Sequence, residues 1–294
     1  MPASSTRAVD NAEIVITGAT NGIGKEIARD LAGRHARLTL VARNPHKAQD
    51  TADELLGLGA AHVDIVEADL ADLNSVRAAS VRLQRRLEHI DVLINNAGIT
   101  LFRSEAPTVD GYDRMIATNH LAPFLLTNEI LELLTAAPSA RIVHTASEAH
   151  RHAHRPDPAT LGQPREYGLA GGQLVYGESK LLNILFTKEL ARRLHGTRVT
   201  ANCFCPGAVS TGLVRDSSRI SRVWSTGARA RILRRPAAGA AAGLRLVLDP
   251  DLDGVTGQFF TSTPGLRLLP PVAALADHRL HQQIWQRSAE LVGL

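Results

Sequence analysis

Residues 13–24 read EIVITGATNGIG, and the fold is decided there. Glu13 to Thr17 is a short apolar run of the kind that fills a sheet, and beyond Gly24 the stretch KEIARDLAGR repeats Ile27 and Leu31 at helical spacing. Between the two runs, Gly18, Gly22 and Gly24 stand where a parallel strand meets a helix N-terminus. Glycine there lets the backbone approach a pyrophosphate, and the free amides and the helix dipole favour that anion. The turn, including Asn21 and Ile23, therefore reads as a dinucleotide site. A bare strand–helix turn without a ligand is the rival reading, and its place after the first strand argues against it.

Working outward, strand-like runs recur at 36–42, 61–70, 91–98, 140–147, 198–205 and 257–260. Helical patterns separate them at 46–58, 73–87, 110–137 and 176–195. Strands rich in Val, Ile and Leu joined by helical crossovers predict an α/β fold: a Rossmann-like, doubly wound parallel sheet of seven strands covered on both faces. The pattern suggests a flexible tail over 1–12 and a single domain over 13–294. Two stretches leave the pattern, 150–172 and an arginine-rich segment around 212–236, and the second is expected to form a substrate lid over about 208–236.

A chain of 294 residues and 31.6 kDa fits one large α/β unit. With 44% apolar residues, 21% charged residues and a mean hydropathy of −0.05, it reads as soluble and globular. MPASSTRAVDNAE carries no apolar stretch, so neither a secretory signal nor a membrane anchor is expected, and a cytoplasmic location follows. The pI of 9.4 owes much to seven arginines between Arg215 and Arg235, set against the single acid Asp216. With 4% aromatic residues and no groove-reading motif, nucleic-acid binding is not expected. Cys203 and Cys205 fall on one face of a strand and read as small buried hydrophobes. His144, His150, His152 and His154 have no acidic or cysteine partner at ligand spacing, so they read as a solvated loop and no metal is expected.

After the second strand, where a carboxylate would bind the ribose 2′-hydroxyl of NAD, stand Ala42 and Arg43. A guanidinium pairs with a 2′-phosphate, which favours NADP, with Lys25 as a second candidate or a solvated side chain. Tyr176 and Lys180 are four apart, on one helix face. An adjacent ammonium would stabilise a phenolate and bring the phenol toward the working pH, making the pair the leading catalytic candidate.

TGATNGIG, NNAG, the serine closing ARIVHTAS, YGESK and PGAVST, in this order over residues 13–211, resemble the short-chain dehydrogenase/reductase family. ITGATNGIGKEIARDLA, VARN, NHLAPFLLTN and FTKELARRL look most like its retinol-dehydrogenase-like branch. The resemblance implies Tyr176 as general acid/base, Lys180 as the group lowering its pKa and bonding the nicotinamide ribose, Ser147 as donor to the substrate oxygen, and Asn119 as holder of a relay water. It also implies adenine contacts from Asp69 and Leu70, a cofactor-lining segment at Asn96, Ala97 and Gly98, and nicotinamide contacts from Pro206, Gly207, Val209 and Thr211. The chain departs from the pattern at Ala146, where a second serine is common, and at Ala122 and Pro123, where the branch carries glycine and histidine.

The expected activity is NADPH-dependent hydride transfer between the nicotinamide and a lipophilic ketone, aldehyde or secondary alcohol, by a carbonyl reductase or alcohol dehydrogenase of specialised metabolism. An epimerase or dehydratase with the same Tyr-Lys chemistry is the alternative, but the spacing GxxxGxG and the short stretch after Thr211 disfavour it. A non-catalytic NADP-binding protein is disfavoured by the intact Asn119, Ser147, Tyr176 and Lys180. A homo-oligomer is left open by the resemblance.

Overall fold

The structure, a computed structural model, describes residues 7–207, 235–262 and 269–294. Seven strands form one parallel sheet: β1 (Glu13–Thr17), β2 (Arg37–Ala42), β3 (His62–Glu67), β4 (Val92–Asn95), β5 (Ala140–Thr145), β6 (Val199–Cys205) and β7 (Phe259–Thr261). Their order is β3-β2-β1-β4-β5-β6-β7, so the chain reverses direction across the sheet between β1 and β4. In such sheets the crevice outside the carboxyl ends of the strands at this reversal is where ligands bind. The seven-stranded doubly wound sheet is as the sequence predicts.

Alternation along the strands feeds two cores. Val15, Val41, Leu93 and Ile142 face one layer, made by helices α3 (Leu73–Arg86), α5 (Ala122–Glu129), α7 (Leu169–Arg193) and α9 (His278–Val292). Ile14, Ile16, Leu38, Leu40, Ile94 and Phe204 face the other, built on α1 (Gly22–Ala32), α2 (Pro45–Gly57) and α8 (Pro236–Leu248). The helices start on side-chain caps: Asn44 Oδ1 accepts from Lys47 N at 2.9 Å, with Pro45 in the first turn of α2, and Asp72 caps α3. Arg141 on β5 is 3% exposed and gathers carbonyls from the end of α8. Among the described residues no helix is long and apolar enough to cross a membrane.

Four expectations are corrected. The helical stretch 110–137 is not one helix: α4 (Arg114–Ile116) opens on an Asp113 cap, residues Ala117–Leu121 form a π-helical turn, and α5 and α6 (Leu131–Ala136) follow. Pro123 has no N–H to offer the Asn119 carbonyl, and the Ala122 N–H reaches back to Ala117 O, widening the turn. Helix α7 begins at Leu169, inside the stretch expected to be irregular. His144 and His150 are not solvated: both are 1% exposed, His144 within β5 and His150 in a short turn whose Nδ1 meets Ser147 O at 2.8 Å. Residues 7–12 are no loose tail, since Arg7 N donates to Leu248 O at 2.7 Å and Val9 is 3% exposed. Cys203 and Cys205 are buried, in keeping with their reading as apolar fillers. Val209, Thr211 and nearly all of the expected lid lie outside the described residues.

Candidate active site

A cleft of about 620 Å³ runs along the carboxyl edge of the sheet, past the ends of β1 to β6. Its floor at β1 is held open by glycine. Gly18 has φ +70°, and a methyl group there would stand 2.9 Å from Ala97 Cα, while Gly22 opens α1 at φ +56°. At Gly24 a methyl group would collide with Asn96 Nδ2 and the Gly18 carbonyl. Asn21 Oδ1 accepts from Gly22 N at 2.7 Å, leaving the following amides of the first turn directed at the cleft. Asn96 ties the turn to its neighbours: Nδ2 donates to Thr17 O at 3.2 Å and Gly18 O at 3.3 Å, and Oδ1 accepts from Thr145 at 3.3 Å. The cradle that methyl groups would fill, and the donors around it, fit a dinucleotide pyrophosphate.

Arg43, Asn44 and Lys47 line the end of the cleft beyond β2, opposite Asp69 and Leu70. Arg43 is half exposed, with its guanidinium 3.9 Å from the Asp69 carboxylate. Lys25 is elsewhere: its ammonium pairs with Glu54 at 2.6 Å between α1 and α2. Lys47 is the basic residue that the sequence reading missed. Its signal was available, because Asn44 and Pro45 start a helix whose first turn brings Lys47 beside Arg43.

At the other end Ser147, Tyr176, Lys180, Pro206 and Gly207 line the cleft together, with Asn96, Ala97 and Gly98 between. Ser147 leaves β5 as the cap of the turn 148–152, its Oγ accepting from Ala149 N at 3.1 Å, and it faces the Tyr176 hydroxyl. Lys180 is 2% exposed; its ammonium donates to Thr145 O at 3.0 Å and lies 5.6 Å from the Tyr176 ring centre. Asn119 is fully buried, and its side chain binds Ile99 through both backbone groups, at 2.8 Å and 2.9 Å, and Ser179 Oγ at 3.0 Å. It therefore fixes the segment behind Gly98 rather than pointing into the cleft.

These are the motifs of one family, in one place. The short chain dehydrogenase model matches residues 12–156. Retinol dehydrogenase 13 of Homo sapiens is 34% identical over 286 residues, covering 96% of this chain and 84% of the relative. Retinol dehydrogenase 11 of Homo sapiens is 35% identical over 297 residues, covering 99% and 89%. The chain belongs to the short-chain dehydrogenase/reductase family. Within it, the chain is of the retinol-dehydrogenase-like branch. Among solved structures, an uncharacterised protein from Mycobacterium paratuberculosis superimposes with a TM-score of 0.73 at 30% identity over 98% of this chain and 96% of that one. A short chain dehydrogenase from Burkholderia cenocepacia in complex with NADP gives 0.68 at 25% identity over 89% and 100%.

The electrostatics of this short-chain dehydrogenase depart from expectation at Tyr176. Burial pushes its phenol above the ordinary value of 10, the nearby Cys205 thiol acts in the same direction, and the Ser147 and Thr100 hydroxyls oppose them. Lys180, whose ammonium donates to Thr145 O, is not among the groups that set this shift. Burial in turn lowers Lys180 to about 8. Thr100, two residues beyond Gly98, was not singled out from the sequence; it belongs to the site only because α7 packs on the backbone after it.

Proposed function

We propose that this oxidoreductase is a carbonyl reductase or alcohol dehydrogenase using NADP(H), acting on a lipophilic ketone, aldehyde or secondary alcohol. The observation that carries the reading is the convergence of Ser147, Tyr176 and Lys180 at one end of a cleft whose other end is lined by Arg43, Asn44 and Lys47. Gly18, Gly22, Asn96 and Ala97 would hold the pyrophosphate and ribose, Arg43 and Lys47 a 2′-phosphate, and Lys180 and Gly207 the nicotinamide half. The cofactor when bound supplies or accepts a hydride.

The side chains handle the proton. Tyr176 donates its hydroxyl proton to the oxygen of a carbonyl seated against it, while Ser147 shares the developing charge on that oxygen. A phenol held above 10 stays protonated at neutral pH, which suits the reductive direction. Lys180, lowered to about 8, changes charge within the working range and places a cation near the phenol when protonated. The retinol dehydrogenases among its relatives support an apolar substrate.

Purified protein titrated with NADPH and NADH, followed by a carbonyl panel including all-trans-retinal monitored by NADPH absorbance, tests both halves of the reading. Tighter NADPH binding and hydride transfer abolished in Tyr176→Phe are expected. Tighter NADH binding would overturn the cofactor assignment, and full activity of Tyr176→Phe the chemistry.

A further inference from the structure

Thr100 is 4% exposed, its hydroxyl is close enough to the Tyr176 phenol to act on its charge, and its buried Oγ1 has no partner in normal hydrogen-bond geometry. Buried hydroxyls are nearly always paired. One left open beside a reacting oxygen is matched to a partner that strengthens during the reaction.

The surrounding backbone is built to hold it there. Gly172 lies four residues before Tyr176 on α7, and a methyl group on it would strike the Leu101 carbonyl oxygen and come within 3.1 Å of Phe102 Cα. Gly177 follows Tyr176, and a methyl group on it would stand 2.5 Å from Ala149 O. The segment after Thr100 and the turn carrying Ser147 thus both lie directly on the helix backbone, one a turn before Tyr176 and the other just after it. Both neighbours of Thr100 are pinned: Ile99 by the two hydrogen bonds of Asn119, and Leu101 by its N–H to Met115 Sδ at 3.3 Å. This gives the buried Asn119 side chain a place in the site although it does not reach the cleft.

We propose that Thr100 is a further catalytic residue, its hydroxyl donating to the Tyr176 oxygen as the phenol gives up its proton. The inference rests on the carbonyl-reductase reading above. In the step, the O–H bond of Tyr176 breaks and an O–H bond forms on the substrate oxygen, while the carbonyl carbon receives the hydride from NADPH. Thr100 keeps its proton and bonds the phenolate left behind, which Ser147, engaged with the substrate oxygen, no longer satisfies.

The test measures kcat and KM of the full-length protein and its variants in NADPH-driven reduction of all-trans-retinal and a carbonyl panel. Thr100→Val, nearly isosteric, is expected to lower kcat and kcat/KM alike by about tenfold, the effect of one hydrogen bond to a charged oxygen made only in the transition state. Thr100→Ser is expected to restore both, with NADPH affinity unchanged in either. A parent-like kcat in Thr100→Val, or a loss confined to KM, overturns the proposal. So does a Thr100→Ser variant as impaired as Thr100→Val, since the methyl group alone would then matter; Thr100→Ala gives the same readings if Thr100→Val folds poorly. Loss of activity in Tyr176→Phe with a parent-like Thr100→Val sinks the role of Thr100 alone, whereas a fully active Tyr176→Phe sinks the carbonyl-reductase reading and this role together.

Discussion

Lowering the pH from 7 to 5 should destabilise the fold by protonating, in the unfolded chain, histidines that the native state keeps neutral. His120 is fully buried on the π-helical turn, with Nε2 2.8 Å from Ser288 Oγ, and His144 is 1% exposed on β5, edge-on to Phe186 at 4.9 Å between ring centres. Burial pushes His120 down to about 4 and His144 to about 3, the latter also repelled by His120 and Lys180. The folded values lie below the unfolded value near 6.5. Between 6.5 and about 4 the unfolded chain therefore binds protons that the native state refuses, and stability falls as pH falls through that window. At 1.36 kcal/mol per pH unit, each histidine costs about 2 kcal/mol at pH 5, and the pair about 4, against the 5–15 kcal/mol typical of a whole domain. His150 and His281 are lowered too and add in the same direction, whereas Asp113, raised by burial, works the other way. Urea unfolding followed by tryptophan fluorescence at pH 7, 6 and 5 measures the slope, since Trp285 packs in the cluster of Phe124 and Phe186. His120→Gln and His144→Gln should each remove about half of the pH dependence, whatever they do to stability at pH 7. A parent protein losing less than about 1 kcal/mol between pH 7 and 5, or variants that keep the full slope, would refute the reasoning.

The other predictions concern the cleft and its frame. Replacing Arg43 and Lys47 by alanine should weaken NADPH binding about 10- to 100-fold, the loss of charge-assisted contacts worth about 1.5–3 kcal/mol, and leave NADH binding unchanged in fluorescence titrations. Lys25→Met, removing a lysine already paired with Glu54, should alter NADPH affinity less than about twofold in the same assay. Gly18→Ala should abolish cofactor binding and cost about 1–3 kcal/mol in thermal unfolding, because φ +70° and the approach of Ala97 both exclude a methyl group. Arg141→Met should cost about 3 kcal/mol in urea unfolding, since the carbonyls of Leu246, Val247 and Asp249 lose their donor in a buried setting.

How much of this was legible in the sequence depends on the range of the interaction that sets each feature. The strands and the glycine turn were readable because their cause is local: runs buried on both faces need apolar residues throughout, and a turn at φ +70° admits glycine and little else. The break in the 110–137 stretch was not, because proline in a first helical turn is ordinary, and here Pro123 leaves the Asn119 carbonyl four residues back without its donor while the Ala122 N–H reaches Ala117 O. His144 and His150 read as polar loop residues, yet β5 lies centrally between β4 and β6, and the residues packed on His144 come from α7. Gly172 closes the stretch 150–172 that leaves the pattern, yet it lies within α7 against the Leu101 carbonyl. A glycine chosen for the close approach of another backbone looks, in one dimension, like one chosen for a turn, so the true start of α7 at Leu169 and the place of Thr100 beside Tyr176 were hidden by a single misreading. The site residues that motifs revealed are those whose chemistry needs a fixed type at a fixed spacing. Thr100 escaped because its place depends on a helix brought in by tertiary packing, whereas Lys47, set locally by the Asn44 cap, escaped because no motif of fixed spacing marks it. Lys25, the second basic candidate in the sequence, is held instead by Glu54 across the α1–α2 contact, so the lysine that lines the cleft with Arg43 is Lys47.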